Sequence, residues 1–174
     1  MNDLDDFRTR KDEFYRRGDG SPLDRGQRKL FQGLAYFPEN PDLVVIAALQ
    51  DPDNPGEVTF DTSTGDRVTY RRAGTVDFTV DGEPARITLY QSDHDEQYFV
   101  PFRDSTSGHE SYPAGRYLEV DPPHDGHVVV DFNYAYNPYC AYSSHWSCPL
   151  PPVENWLAVP IRAGEMDFAG RVEH

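Results

Sequence analysis

From residue 43 onward, apolar and polar residues alternate with a period of two, and turn-forming residues recur about every ten positions. The clearest segment is 75–90, in which alternating apolar residues lead up to and away from an Asp-Gly pair at 81–82. Alternation of this kind buries every second side chain of a strand, and Asp-Gly suits the positive φ angles of a tight hairpin turn. The pattern predicts a mainly β protein, an antiparallel barrel or sandwich with one or two short N-terminal helices.

The other strands are predicted by the same alternation. The run 43–49 is continuously apolar, which predicts a strand covered on both faces. In addition to the hairpin, strands are predicted at 43–49, 58–60, 67–71, 97–103, 115–120, 127–133 and 156–162.

Two helices are predicted before the first strand. In residues 3–17 the apolar positions 4, 7 and 14 fall on one stripe, with acidic residues in the first turn and arginines in the last. Within 21–34, Asp24 and Gln27 have the spacing of a capping box, and Leu30, Phe31 and Leu34 would form the buried side. At 174 residues the chain fits one domain, 1–174, in which a helical segment 1–40 packs on a β-domain 41–174.

The chain is strongly acidic, with 30 Asp and Glu against 16 Lys and Arg and a formal net charge of -14. Its only lysines are Lys11 and Lys29. Dense carboxylates keep a surface hydrated while concentrated salt screens their repulsion, so the composition is typical of a halophilic protein. A surface this negative repels phosphate backbones, and no basic stripe with interleaved aromatic residues is present, so we expect no nucleic-acid partner.

The start of the chain and its hydropathy predict a soluble cytoplasmic protein. No run approaches the roughly 20 apolar residues that span a bilayer. The acidic, polar stretch 1–14 lacks the basic and then apolar order of a signal peptide. Two cysteines are too few for a disulfide scaffold. We expect no cofactor, and the oligomeric state stays open.

Polar and aromatic residues concentrate between 104 and 165, which predicts a specified surface. The loop 104–110 presents hydroxyls and backbone N–H groups that suit an anion or a sugar hydroxyl, although a turn closed by the Asp104 side chain is the alternative. Arg116 and Asp131 form either a structural salt bridge or, through Arg116, a clamp for a carboxylate. The candidate ligand-binding residues are Asp104, Thr106, Tyr112, Arg116, Asp131, Asn133 and Tyr136.

We expect Asp104, Arg116, Asp131 and Asn133 to meet at one place, since each lies at or beside a predicted strand end, where loops cluster. Such a pocket, lined by tyrosines, would bind a polar or anionic small molecule. A hydrolase-type enzyme is the alternative, with Asp131 or Glu165 as base and Arg116 and Asn133 stabilising negative charge. A third alternative is that these motifs are structural only.

Cys140, His145 and Cys148 form a C-x4-H-x2-C pattern. It offers three soft metal ligands, but its spacing is not that of a known zinc knuckle or ribbon. Two reduced core cysteines, a disulfide closing a seven-residue loop and a solvent-facing His145 are alternatives that together outweigh a metal. We expect the two cysteines to lie close in space, within the roughly 4.4–6.8 Å Cα range that permits a disulfide.

Five segments together resemble the domain of unknown function 1684 family of bacterial and archaeal proteins. They are FQGLAYFP at 31–38, PFRDSTSGHESYPAGRYL at 101–118, DFNYAYNPYCAY at 131–142, CPLPPVEN at 148–155 and AGE at 163–165. The resemblance covers most of the chain from residue 31 onward and implies no activity. It implies family positions at all seven ligand-binding candidates and at Cys140, Cys148 and Glu165, whereas His145 lies outside the family pattern.

The charge of the chain yields a testable prediction. We expect the melting temperature to fall steeply as KCl or NaCl is removed, because the net charge of -14 repels itself once screening is lost. Differential scanning calorimetry from low to molar salt measures this dependence. A melting temperature that stays flat over the series would contradict the halophilic interpretation.

Overall fold

Seven antiparallel strands form two sheets within residues 2–173, the part of the chain that the computed structural model describes. The strands are β1 Val44–Ala48, β2 Glu57–Asp61, β3 Arg67–Val80, β4 Glu83–Gln91, β5 Tyr98–Phe102, β6 Arg116–Val120 and β7 His127–Asp131. The larger sheet has the order β2-β3-β4-β5-β6, and β1 and β7 form a separate two-stranded ribbon. The described strands form no closed barrel, so the predicted mainly β fold is confirmed in its sandwich-like form.

The hairpin β3–β4 has the predicted turn. Asp81 and Gly82 both have positive φ angles, 51° and 81°, as a tight two-residue turn requires. Strand β3 is longer than predicted, because 67–71 and 75–80 are one continuous strand with a register shift between Arg72 and Gly74. A Cβ atom on Gly74 would lie 2.6 Å from the carbonyl oxygen of Gln50, so the absence of a side chain allows this close approach.

The ribbon β1–β7 differs from its prediction. Alternate residues of β1 face outward, and Ile46 is 69 % exposed, so the expectation of a strand covered on both faces is wrong. The five-stranded sheet is not hydrogen-bonded to the ribbon as a continuous sheet, and only the inner face of the ribbon contributes to the core. That core contains Ile87, Leu89, Val100, Phe102, Leu118, Val130 and Phe132.

Residues 156–162 do not form the predicted strand. Val159 and Ile161 are buried in the core, which accounts for the alternation in the sequence. Their backbone forms only isolated contacts and no continuous ladder. Trp156 makes a single parallel bridge with Arg103, the Val159 carbonyl accepts the Ser105 N–H at 3.1 Å, and the N–H of Ile161 donates to the Asp104 carboxylate. Alternating burial therefore occurs here without a β-ladder.

The predicted helix 3–17 is confirmed as α1, Asp3–Arg17. The second helix, α2, is only Arg25–Leu30, although the predicted capping box of Asp24 and Gln27 is present. Leu30 is 83 % exposed, so its predicted burial is wrong, and Phe31 is the buried residue at the end of this helix. None of the helices within residues 2–173 is long and apolar enough to cross a lipid bilayer.

Asn155 joins strands β4 and β5 where they cannot pair directly. The two strands pair only at Tyr90 and Phe99. Further along, Pro101 has no N–H to donate to β4. The amide nitrogen of Asn155 donates to the carbonyls of Thr88 and Pro101, each at 2.9 Å, and its oxygen accepts the Thr88 N–H at 2.8 Å. The fully buried Asn155 side chain therefore replaces the missing ladder bonds.

We expect Asn155→Ala to lower the free energy of unfolding by at least about 3 kcal/mol, because each of three buried backbone groups that loses its partner costs roughly 1–3 kcal/mol. Urea denaturation followed by circular dichroism measures the change. Asn54→Ala is the matched control, since Asn54 lies in an exposed loop and should change stability by less than about 0.5 kcal/mol. Equal stabilities for the two variants would show that the Asn155 bonds contribute nothing net.

Candidate functional site

The Arg116 side chain lies at the start of β6 and is completely buried. Its guanidinium donates to the carbonyl oxygens of Ile161 at 2.7 Å, Ala163 at 2.5 Å and Glu165 at 3.1 Å. It also contacts the Asp104 carboxylate at 3.4 Å. Burial lowers the pKa of Arg116, and the charge of Asp104 opposes this shift. Arg116 therefore binds backbone within the described chain and does not face an open cavity.

Asp104 closes the loop that follows β5. Its carboxylate accepts the Ile161 N–H at 2.6 Å and the Thr106 hydroxyl at 2.8 Å. The Thr106 hydroxyl in turn lies 2.8 Å from that of Ser111. Asp104, Thr106 and Ser111 are all buried. The hydroxyls predicted to receive a ligand therefore bind one another.

Asp131 and Asn133 form a second network. The Asp131 carboxylate accepts the Asn133 backbone and side-chain N–H groups, both at 3.0 Å. The Asn133 amide exchanges hydrogen bonds with the backbone of Asn40, at 2.8 and 2.9 Å. Within residues 2–173, no hydrogen bond or ion pair joins this pair to Asp104 and Arg116. By their hydrogen bonds the four side chains thus form two pairs, Asp104 with Arg116 and Asp131 with Asn133.

Glu165, the second candidate base, is buried in a third network. It accepts hydrogen bonds from Lys11, from the Asn137 backbone N–H at 3.0 Å and from the Tyr142 hydroxyl at 3.1 Å. The Lys11 ammonium lies 4.8 Å from the ring centroid of Tyr136. This network attaches α1 to the C-terminal segment. The two candidate bases of the hydrolase alternative thus lie in different networks, Asp131 with Asn133 and Glu165 with Lys11, Asn137 and Tyr142.

Tyr136 lines an open cavity of about 250 Å³, which we call the aromatic pocket. Phe99 and Tyr117 pack edge to face at 4.7 Å, and Tyr117 packs against Tyr136 at 5.9 Å. The Tyr136 hydroxyl donates to Glu119. The pocket is lined by Tyr70, Ser92, Asp95, Gln97, Phe99, Tyr117, Glu119, Tyr136 and Pro149.

The electrostatics of the aromatic pocket are acidic. Asp95 and Glu119 supply two carboxylates, and no lysine or arginine lines the cavity among the described residues. Desolvation raises the pKa of Glu119, and the nearby charge of Asp95 adds to that shift, whereas the Tyr136 hydrogen bond and the charge of Lys11 oppose it. Burial also raises the pKa of Tyr136, so its hydroxyl stays protonated and donates to Glu119. Such a site attracts positive charge and repels anions.

The sequence identified one residue of this pocket, Tyr136, and missed Glu119, Phe99 and Asp95. Phe99 and Glu119 are paired across β5 and β6, which brings a ring and a carboxylate together from positions 20 residues apart. The available signal was Glu119 itself, an acidic residue between the apolar Leu118 and Val120 of β6. That signal becomes specific only when the strand register is known.

The two cysteines are in contact and both are buried. The Cys140 N–H donates to Cys148 Sγ at 3.3 Å. Tyr112, another predicted ligand-binding residue, contacts Cys140 through its hydroxyl and does not line the aromatic pocket. The His145 ring packs against Trp146 at 5.4 Å. Within residues 2–173, no three His, Cys, Asp or Glu side chains are grouped to hold a metal ion.

A larger apolar groove lies between α2 and residues 167–172. Its volume is about 530 Å³, and Leu30, Phe31 and Phe168 are among its apolar lining residues. None of the predicted site residues lines it. Of these two cavities, the aromatic pocket is the one that a predicted ligand-binding residue, Tyr136, helps to line.

We expect Arg116→Ala to lower the free energy of unfolding by about 3–5 kcal/mol, because Asp104 would be left as an unpaired buried charge. Urea denaturation at constant salt measures the change. Arg162→Ala is the control, since Arg162 pairs with Glu110 in an exposed salt bridge worth about 0–1 kcal/mol. A folded Arg116→Ala protein of unchanged stability would contradict the structural role of this guanidinium.

Comparison with known proteins identifies the family. A solved structure with a TM-score of 0.71 is the solution NMR structure of an uncharacterized protein from gene locus rrnAC0354 of Haloarcula marismortui. The two sequences are 40% identical, and the match covers 94% of this chain and 91% of that one. No curated protein matches the chain. Residues 29–166 match the family described as protein of unknown function, DUF1684, and the chain belongs to that family.

Proposed function

We propose that the chain is a small binding domain whose aromatic pocket takes a polar organic cation. The observation that carries the proposal is the Glu119 carboxylate, held by the Tyr136 hydroxyl beside a set of aromatic rings. A carboxylate next to ring faces combines the two features that recognise an ammonium group, namely opposite charge and the negative face of the ring. The sequence predicts a polar or anionic ligand. The proposed ligand is polar as well, but it carries a positive charge.

Lys11 illustrates the preference of this site for positive charge. Its ammonium lies 4.8 Å from the Tyr136 ring centroid and pairs with Glu165. The ring of Tyr136 therefore contacts one cation of the chain itself, while its hydroxyl binds Glu119 at the pocket. A cationic ligand would meet a similar combination of ring and carboxylate.

The predicted residues outside the pocket have a different role in this proposal. Asp104, Arg116 and Asn133 bind backbone, and we infer that they hold the scaffold and do not touch the ligand. This inference adopts the structural alternative for those motifs and keeps ligand binding for Tyr136. The proposed binding needs no cofactor and no covalent step.

We also infer that the protein works in concentrated salt. The formal charge of -14 and the scarcity of lysine support this inference. Simple cations at high concentration would compete for Glu119 by charge but not by ring contact, so an organic cation keeps an advantage there. Binding experiments therefore need a salt series.

The test uses tetramethylammonium, inositol and inorganic phosphate as probes in ¹H–¹⁵N NMR titrations. We expect tetramethylammonium to shift the amide signals of Phe99, Tyr117 and Glu119, and phosphate to leave them unchanged. Glu119→Gln should weaken tetramethylammonium binding by about tenfold, equivalent to about 1.4 kcal/mol, because the charge is lost while the shape is kept.

Glu83→Gln is the matched control. Glu83 is exposed beside the β3–β4 turn and does not line the pocket, so this substitution removes the same charge elsewhere. Equal weakening by both variants would reduce the effect to net charge alone. Shifts caused by phosphate and not by tetramethylammonium would overturn the proposal, as would shifts confined to the groove beside α2.

A further inference from the structure

Cys140 and Cys148 form a preorganised pair that the proposed binding function does not use. Cys148 Sγ lies 3.3 Å from the backbone nitrogen of Cys140, within reach of the Cys140 side chain. The backbone around Cys148 is fixed by Ser63, whose hydroxyl accepts the Cys148 N–H at 3.0 Å and whose N–H donates to the Cys148 carbonyl at 2.9 Å. Cys140 is fixed in a short 3₁₀ helix, Tyr139–Ala141.

The surroundings of Cys140 favour its thiolate. The Tyr112 hydroxyl lies 3.6 Å from Cys140 Sγ, and Arg171 donates to the Cys140 carbonyl at 3.0 Å, which places a positive charge nearby. Hydrogen bonds from the Cys148 thiol and from Tyr112, together with the charge of Arg171, lower the pKa of Cys140 to about 6 although burial opposes this. The same contact with Cys140, together with burial, raises the pKa of Cys148.

We propose that Cys140 and Cys148 are a redox-active dithiol that small hydroperoxides convert to an intramolecular disulfide. The contact between the two residues carries the proposal. Cys140 is 2 % exposed and Cys148 is 7 % exposed, so access to the two sulfurs is narrow, which favours a small hydroperoxide over a bulky disulfide as the oxidant. Cys140 is the attacking residue and Cys148 the resolving residue.

The chemistry proceeds in two balanced steps. The Cys140 thiolate attacks one oxygen of the hydroperoxide, the O–O bond breaks, and the departing alkoxide takes up a proton to leave as the alcohol, which gives a sulfenic acid on Cys140. The Cys148 sulfur then attacks the Cys140 sulfur, and the leaving hydroxide combines with the Cys148 proton as water. Two thiols are oxidised to one disulfide, and the peroxide is reduced to alcohol and water.

The test treats the fully reduced chain with one equivalent of hydrogen peroxide, then denatures it and alkylates it with N-ethylmaleimide. Mass spectrometry should show most chains lighter by two hydrogens and without adducts, with a Cys140–Cys148 cross-linked peptide that dithiothreitol removes. Chains that carry two adducts after peroxide would overturn the proposal, as would disulfides that link two chains.

Two single variants separate the roles of the cysteines. In Cys148→Ser the sulfenic acid on Cys140 has no resolving thiol and should be captured by dimedone that is present while the chain is unfolded, since Cys140 is only 2 % exposed in the fold. In Cys140→Ser dimedone labelling of Cys148 should be several-fold weaker, because Cys148 has lost its partner thiol and the Tyr112 hydroxyl contacts only position 140. Equal labelling of the two variants would overturn the assignment of Cys140 as the attacking residue.

Tyr112→Phe provides a further measurement that keeps both cysteines. It removes the hydroxyl that contacts Cys140 and should slow disulfide formation several-fold, whereas Tyr98→Phe on β5 should leave the rate unchanged. An unchanged rate in Tyr112→Phe would show that this contact does not activate Cys140, and would overturn that part of the mechanism.

Discussion

A buried guanidinium organises the C-terminal part of this molecule. Moving such a charge out of water costs several kcal/mol unless it is paired and hydrogen-bonded. Arg116 meets that condition with one carboxylate and three carbonyls, all three carbonyls lying on the short stretch 161–165. Because these acceptors must converge on one planar group, the backbone conformation of residues 161–165 is closely constrained. The irregular chain that follows the last strand is therefore fixed by Arg116 and Asp104 in place of a β-ladder.

Side-chain amides extend the same principle to other segments. Asn155 bridges β4 and β5 where a proline interrupts pairing, and Asn133 bonds the backbone of Asn40. In each case a buried polar side chain satisfies backbone groups that regular structure leaves open. This use of Asp, Asn and Arg explains how several polar residues between 104 and 165 are buried without unpaired groups at Asp104, Asn133 and Asn155. The aromatic pocket and the cysteine pair are not explained by this use of buried polar side chains.

The sequence predicted the elements whose residues are periodic or capped. Helix 3–17, the capping box at Asp24 and the hairpin turn at Asp81-Gly82 follow from local chemistry and are present. Residues 156–162 were mispredicted because alternating burial there comes with isolated backbone contacts to 103–105 and no continuous ladder. The partners of Asp104 and Asp131 could not be predicted for a related reason. Position at a strand end does not determine whether a side chain faces a cavity or the backbone of a distant segment.

The ribbon β1–β7 gives the molecule an uneven distribution of local stability. Its outer face is exposed at Val44, Ile46 and Val129, and its two strands hydrogen-bond chiefly to each other. A two-stranded ribbon on its own is only marginally stable in water, so β1–β7 depends on its inner face, where Val128 and Val130 are buried in the core. The stability of the ribbon therefore comes from one face, and its outer residues can vary without disturbing the core.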